Sequence, residues 1–157
     1  MSSSKTLSAY EILGPLSRGA NSFVYKVRDI KQNKLYALKV IDKMVKDTKI
    51  ICTKKIESFR QEIKIHKKLD HPNIVKLIHS FEDEENFYMV LEYCKYGELY
   101  SYLSKHQKFD TRATKQLTHQ MCAGLKYLHD NLIFHRDLKL GNVLLGDNRC
   151  LKICDFG

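Results

Sequence analysis

The hydrophobic period changes along this chain, and the places where it changes limit the folds open to it. Five short runs, Tyr10 to Leu16, Phe23 to Asp29, Leu35 to Ile41, Ile74 to Phe81 and Phe87 to Tyr93, are rich in aliphatic and aromatic residues and are separated by turn-like or charged breaks. Runs of that length and make-up predict strands, together a five-stranded, mostly antiparallel sheet. Between the third and fourth, Thr53 to Leu69 places Ile56, Phe59, Ile63 and Leu69 at a period nearer 3.6 than 2, with lysines on the other side, which predicts one amphipathic helix. His71-Pro72 closes it, because the residue before a proline is pushed out of the helical region. After Gly97 the texture changes: Glu98 to Lys105 predicts a short helix. Ala113, Leu117, Met121, Leu125 and Leu128 form one stripe of a longer helix with Asp110 as N-cap. Val143 to Leu145 and Leu151 to Cys154 predict a small hairpin. No internal repeat is present, so the fold class is α+β within one folding unit.

The 157 residues, 43% hydrophobic and 29% charged, exclude a chain disordered throughout. No run approaches the roughly 18 apolar residues of a membrane span, and Met1 to Ser8 lacks a signal-peptide core, so a soluble cytoplasmic protein with no membrane partner is expected. Five cysteines without a CxxC pair read as reduced thiols, not a disulfide framework. Seven histidines fall in no HExxH or paired Cys/His spacing, which gives no transition-metal motif. The net charge is +9, and between Lys39 and Lys76 eleven lysines and arginines face five acidic residues. No aromatic residues interleave with them as a single-strand stacking platform requires. A solvated helix face is preferred, and nucleic acid is not expected as a partner; a basic nucleic-acid binder rests on charge alone.

The chemistry concentrates near the C-terminal end. His135-Arg136-Asp137-Leu138-Lys139-Leu140-Gly141-Asn142 is followed by Asp155-Phe156-Gly157. Phosphoryl transfer needs a carboxylate to orient or deprotonate the attacking hydroxyl, a cation near the moving group, and oxygen ligands for magnesium, and these segments hold residues of those types. Upstream, Tyr36-Ala37-Leu38-Lys39-Val40-Ile41 lies on a predicted strand whose alternation puts Ala37 and Lys39 on one face, Leu38 and Val40 on the other.

With these motifs the sequence resembles the eukaryotic protein kinases, from about Tyr10 to Gly157. The resemblance implies a small lobe (10–91) with a five-stranded antiparallel sheet and one regulatory helix, a hinge (92–97), and the start of a helical large lobe (98–157), preceded by a disordered tail (1–9). It implies ATP and Mg²⁺ as cofactors and a protein with Ser/Thr hydroxyls as the other substrate. Asp137 would be the catalytic base, Lys139 would contact the γ-phosphate, and Asn142 and Asp155 would hold Mg²⁺. Lys39 would reach the α- and β-phosphates, paired with Glu62, which borders the apolar face of the helix; Glu57 is the alternative partner. Leu16, Val24, Ala37, Leu91 and Leu144 would sandwich the adenine ring, with Leu91 as gatekeeper and the backbone of Glu92 to Cys94 along its edge. His66, Leu77, His135 and Phe156 would form the regulatory spine.

Two departures stand out. The glycine-rich pattern GxGxxGxV aligns with Ser17-Arg18-Gly19-Ala20-Asn21-Ser22-Phe23-Val24, keeping only Gly19, with Ser17 and Ser22 at the flanking positions. Glycine there lets backbone N–H groups approach phosphate, so altered nucleotide affinity is expected. The similarity also stops at Gly157, before an activation segment, which implies a fragment of little activity by itself, with the Ala113–Leu128 stripe exposed. A non-catalytic nucleotide-binding or scaffold module is the alternative. Lys139 points to the serine/threonine class. Ile41-Asp42-Lys43 and Lys64-Ile65-His66 look similar to the polo-like kinases, especially their fourth subgroup, which would imply a centrosomal or centriolar location.

Overall fold

The computed structural model describes residues 6–19, 22–43 and 53–156. They divide into two compact units, one formed by 1–68 with 77–93 and the other by 69–76 with 94–157.

The first unit is an antiparallel sheet of five strands in the order β1-β2-β3-β5-β4, with β1 at Tyr10–Arg18, β2 at Ser22–Asp29, β3 at Lys34–Asp42, β4 at Leu77–Glu82 and β5 at Asn86–Glu92. Its turns have identifiable causes. Asp29 accepts from the Lys31 and Gln32 N–H groups at 3.0 and 2.8 Å and bends the chain between β2 and β3, where Asn33 takes φ 51°. Asp83 does the same between β4 and β5 for Glu85 and Asn86 at 2.9 and 2.7 Å, and its second oxygen accepts from Tyr88 Oη at 2.7 Å. Burial pushes the Asp83 carboxyl up, but the bonds from Tyr88, Asn86 and Glu85 outweigh it and hold the group below its usual value. Pro15 is tolerated because β1 is an edge strand, bulged on either side of the Gly14-Pro15 pair. One face of the sheet buries Tyr10, Val27, Tyr36, Leu38, Tyr88 and Val90, with the Phe81 and Tyr88 rings stacked 4.7 Å apart. The helix α1, Thr53–His66, lies over the opposite face, its Phe59 ring 6.3 Å from that of Phe87.

The second unit contains α2 (Leu99–His106), α3 (Thr111–Asp130) and the hairpin of β6 (Val143–Leu145) and β7 (Leu151–Ile153). Its core joins Leu69, Ile74, Leu99, Leu128, Leu145, Leu151, Ile153 and Phe156. Asp110 caps α3 by accepting from Ala113 N–H at 2.7 Å. Replacing Asp110 with alanine is expected to cost about 1 kcal/mol, read as a lower midpoint in chemical denaturation. Gly124 permits close packing of α3, because a Cβ there would stand 2.9 Å from Ile153 Cδ1 and 3.1 Å from the Asn73 carbonyl.

The differences from expectation concern partners more than element type. The run from Ile74 was expected to be one strand, but β4 begins at Leu77. Ile74 bridges Ile153 instead, Val75 N–H donates to Ile153 O, and Ile153 N–H donates to Asn73 O, both at 2.9 Å. An apolar run shows that residues are buried and does not show in which unit, so residues 69–76, placed in the small lobe from sequence, belong to the second unit. α1 ends at His66 instead of Leu69, and Leu69 is buried in the second unit's core. Residues 7–9 of the supposed disordered tail form a 3₁₀ turn whose Ala9 O accepts from Ile30 N–H at 3.1 Å, while residues 1–5 lie outside the described residues. The α3 stripe is not the exposed patch expected: Leu128 is fully buried and Leu117, Met121 and Leu125 pack on the core, whereas Leu132 and Phe134 beyond the helix are 84% and 65% exposed.

Candidate active site

Each unit brings together part of the set expected from sequence. In the first, antiparallel register decides which side chains share a face, since residues directly opposite point the same way. Ser17, Val24, Lys39 and Met89 form one cross-strand row; Lys26, Ala37 and Leu91 form the next. Val24, Ala37, Lys39 and Leu91 therefore lie on one face, the one that α1 covers, with Lys39 half-buried and Leu91 buried. Glu62 is half-buried on α1, three residues from Phe59 and beside buried Ile63, whereas Glu57 is exposed. Helical spacing puts Glu62 on the sheet-facing side with Phe59. Leu16 sits in the β1 bulge and is 46% exposed. Gly19 N–H donates to Ser22 O at 2.8 Å, closing the β1–β2 connection; Ala20 and Asn21, between them, lie outside the described residues. Glu92 pairs with Tyr36 on the other face.

In the second unit the polar loop after α3 folds onto itself. Lys139 Nζ lies 2.6 Å from Asp137 Oδ2, and Asn142 Nδ2 donates to the Asp137 carbonyl at 2.8 Å and to Oδ2 at 3.0 Å. The Lys139 hydrogen bond, joined by that from Asn142, holds the Asp137 carboxyl below the usual carboxylate range, and Asp137 in turn raises Lys139. Both groups carry charge at neutral pH. Because the pair is exposed, it is screened by water and worth little, so Lys139 can exchange Asp137 for a phosphate oxygen. Asn142 is buried and both of its side-chain bonds use the amide nitrogen, which leaves the oxygen as a candidate metal ligand. Its carbonyl accepts from Cys154 N–H at 3.0 Å, tying the loop to the residue before Asp155. An amide oxygen and a carboxylate are hard donors of the kind Mg²⁺ takes alongside phosphate oxygens.

One feature here escapes sequence reasoning. Arg136 and Asp155 adopt φ 61° and 56°, left-handed backbone that only a folded context imposes on non-glycine residues and that commonly marks functional sites. His135 is buried, its ring edge-on to Phe156 at 6.3 Å between centroids, with Nε2 2.9 Å from the Cys154 carbonyl. A carbonyl can only accept, so Nε2 carries a proton there, and Nδ1 has no partner among the described residues. The turn at 94–97, closed by Gly97 N–H to Cys94 O at 3.1 Å, docks on β6 through Tyr96 N–H to Leu145 O at 3.0 Å and Leu145 N–H to Gly97 O at 2.8 Å; Cys94 is buried, and half-buried Leu144 bridges Glu98. His66 is buried and Leu77 half-buried in the first unit.

No described helix is long and apolar enough to cross a membrane, and no cluster of three or more His, Cys, Asp or Glu suited to a metal occurs among the described residues. A family profile described as protein kinase domain matches residues 10–157. Similar proteins include a probable serine/threonine-protein kinase, CCRP1, of Zea mays, 43% identical over 90% of this chain and 22% of that protein. Serine/threonine-protein kinase polo of Drosophila melanogaster is 37% identical over 94% of this chain and 25% of its own length. Aurora kinase B of Mus musculus is also 37% identical, over 97% of this chain and 43% of its own length. The chain thus spans about a quarter of the first two, and equal identity to polo and Aurora B assigns no subfamily. The profile covers nearly the whole chain and the relatives are named serine/threonine kinases, so the chain belongs to the eukaryotic protein kinase family.

Proposed function

We propose that this chain carries the ATP-binding and catalytic-loop part of a Mg²⁺-dependent protein serine/threonine kinase. The observation that supports this most is the linked cluster in which Asn142 holds Asp137 through its side chain and Cys154, next to Asp155, through its carbonyl. In this reading Asp137 orients the substrate hydroxyl and accepts its proton late in transfer, and Lys139 moves to the γ-phosphate. Lys39, paired with Glu62, holds the α- and β-phosphates. Val24, Ala37 and Leu91 offer the apolar face for adenine, with Leu16 and Leu144 as further contacts and the backbone of Glu92 to Cys94 along its edge. Ser17, Gly19 and Ser22 line the phosphate loop. Asn142 and Asp155 hold Mg²⁺, which when bound supplies neutralisation of the phosphate charge.

The test is transfer of radiolabelled γ-phosphate from ATP to serine or threonine of a general acceptor such as casein. Asp155→Asn keeps the shape and removes the metal-binding charge. It is expected to lower transfer by at least about 100-fold and to abolish the stabilisation that Mg²⁺ adds to ATP binding. ATP binding that is independent of Asp155 and accompanied by no transfer would instead favour a non-catalytic nucleotide-binding module, the reading to which Ser17 and Ser22 lend support.

A further inference from the structure

One charge cluster in the first unit lies outside the set used above. Glu82, the last residue of β4, stands opposite Phe87 in the sheet register and so on the face that α1 covers. Its carboxylate is shared by two cations from different elements. Lys43 Nζ, just after β3, is 2.8 Å from Oε2, and Arg60 Nη2, on α1, lies 3.2 Å from each carboxylate oxygen. Both cations also face the Phe87 ring, Lys43 at 4.7 Å and Arg60 at 5.8 Å from its centre, within cation–π range. Lys43 is buried, its backbone N–H donates to Glu85 O at 2.9 Å, and its ammonium also donates to the Asp83 carbonyl. It is therefore fixed to the β4–β5 turn. Arg60 is the exposed limb, and with Glu82, Ile63 and Phe87 it walls an open cavity of about 310 Å³.

We infer that Lys43, Glu82, Arg60 and Phe87 form a clamp that fixes α1 against the sheet in the position presenting Glu62 to the Lys39 face, which makes Arg60 and Glu82 positioning residues. This rests on the proposed role of Glu62 beside Lys39. On α1, Ile63 and His66 are buried and Phe59 faces the Phe87 ring, while Arg60, Gln61 and Lys64 are exposed. The clamp sits two residues before Glu62, so a shift or rotation of α1 that breaks Arg60 from Glu82 carries the Glu62 carboxyl with it. Its two limbs differ in kind. The Lys43 limb is dry, and a buried ammonium that loses its carboxylate is left uncompensated. The Arg60 limb is wet, screened by salt and easily opened. The Lys43 hydrogen bond, with that from Arg60, also holds the Glu82 carboxyl below its usual value, so the clamp is charged at neutral pH.

The test compares the full chain with Glu82→Gln, Arg60→Gln and, as a control on the same helix, Lys64→Gln. Hydrogen exchange is followed residue by residue and MgATP affinity is measured alongside. The expected result for Arg60→Gln is exchange of the α1 amides at 59–66 at least fivefold faster, with the β1–β3 amides and the melting temperature near wild type. MgATP binding weakens at least threefold, and Lys64→Gln changes nothing. Raising NaCl to 0.5 M should reproduce part of the exchange effect in wild type and none of it in Arg60→Gln. Glu82→Gln should act more strongly; should it fail to fold, Arg60→Gln decides alone. Unchanged α1 exchange in Arg60→Gln overturns the clamp. Faster exchange with unchanged MgATP affinity overturns its positioning role. A wild-type chain that binds no MgATP sinks the kinase reading and the positioning role together, and the exchange rates still decide whether the clamp exists.

Discussion

Asp137→Asn is expected to remove phosphotransfer while leaving ATP binding in place. The substitution keeps the size of the side chain and an oxygen able to accept from Asn142 Nδ2, so the loop bonds at 2.8 and 3.0 Å are largely preserved. It removes the negative charge that would accept the proton under the proposed function and that keeps Lys139 drawn to the loop. Losing a positioned proton acceptor costs about 10²- to 10⁴-fold in rate, so kcat should fall by that factor with the KM for ATP within about twofold of wild type. The pH dependence has a definite sign. The folded value of Asp137 is depressed, so the ionised pair with Lys139 is fully present above the ordinary aspartate value and is lost only as pH falls through the lower, folded one. Activity should thus hold through the mildly acidic range on this group's account. An equally active Asp137→Asn enzyme would sink the assignment of the base.

Gly124→Leu is expected to unfold the second unit. An alanine at this position already meets the Asn73 carbonyl at 3.1 Å, a backbone atom that cannot step aside, as well as Ile153 Cδ1 at 2.9 Å. The roughly 0.8 to 1.0 kcal/mol that alanine gains over glycine in a helix offsets only part of that strain. Leucine adds three more carbons against β7 and Asn73 and should cost about 3 kcal/mol or more, a large share of the stability of a domain. Limited proteolysis would show it as rapid cleavage within 94–156 while the sheet of the first unit stays protected. Urea unfolding with a wild-type midpoint would refute the packing argument.

Element types were readable from the sequence because they follow from period. The alternation of Ala37 and Lys39 against Leu38 fixed the faces of β3, and the Asp110 cap and the α3 stripe marked that helix. The motif residues Asp137, Lys139 and Asn142 were also readable, and the fold gathers them in one loop. Tertiary choices were not. Ile74 and Val75 look like strand residues and are buried, yet their partner is Ile153, far along the chain. Nothing in His135-Arg136-Asp137 announces the left-handed backbone at Arg136, and nothing in the lysine-rich helix singles out Arg60, since a charged residue's partner lies on another element.

The placement of residues 69–76 has a consequence for how the polypeptide leaves the ribosome. Asn73 donates to the Leu151 carbonyl at 2.9 Å across a sequence separation of 78 residues. At roughly 5 to 20 residues per second, translation takes about 4 to 16 s to deliver that acceptor after Asn73 is made. Throughout that interval the segment is a guest without its host, while every strand of the five-stranded sheet is already complete by Glu92. Biogenesis is thereby ordered: the sheet can form early, and the later half must capture a stretch synthesised long before it.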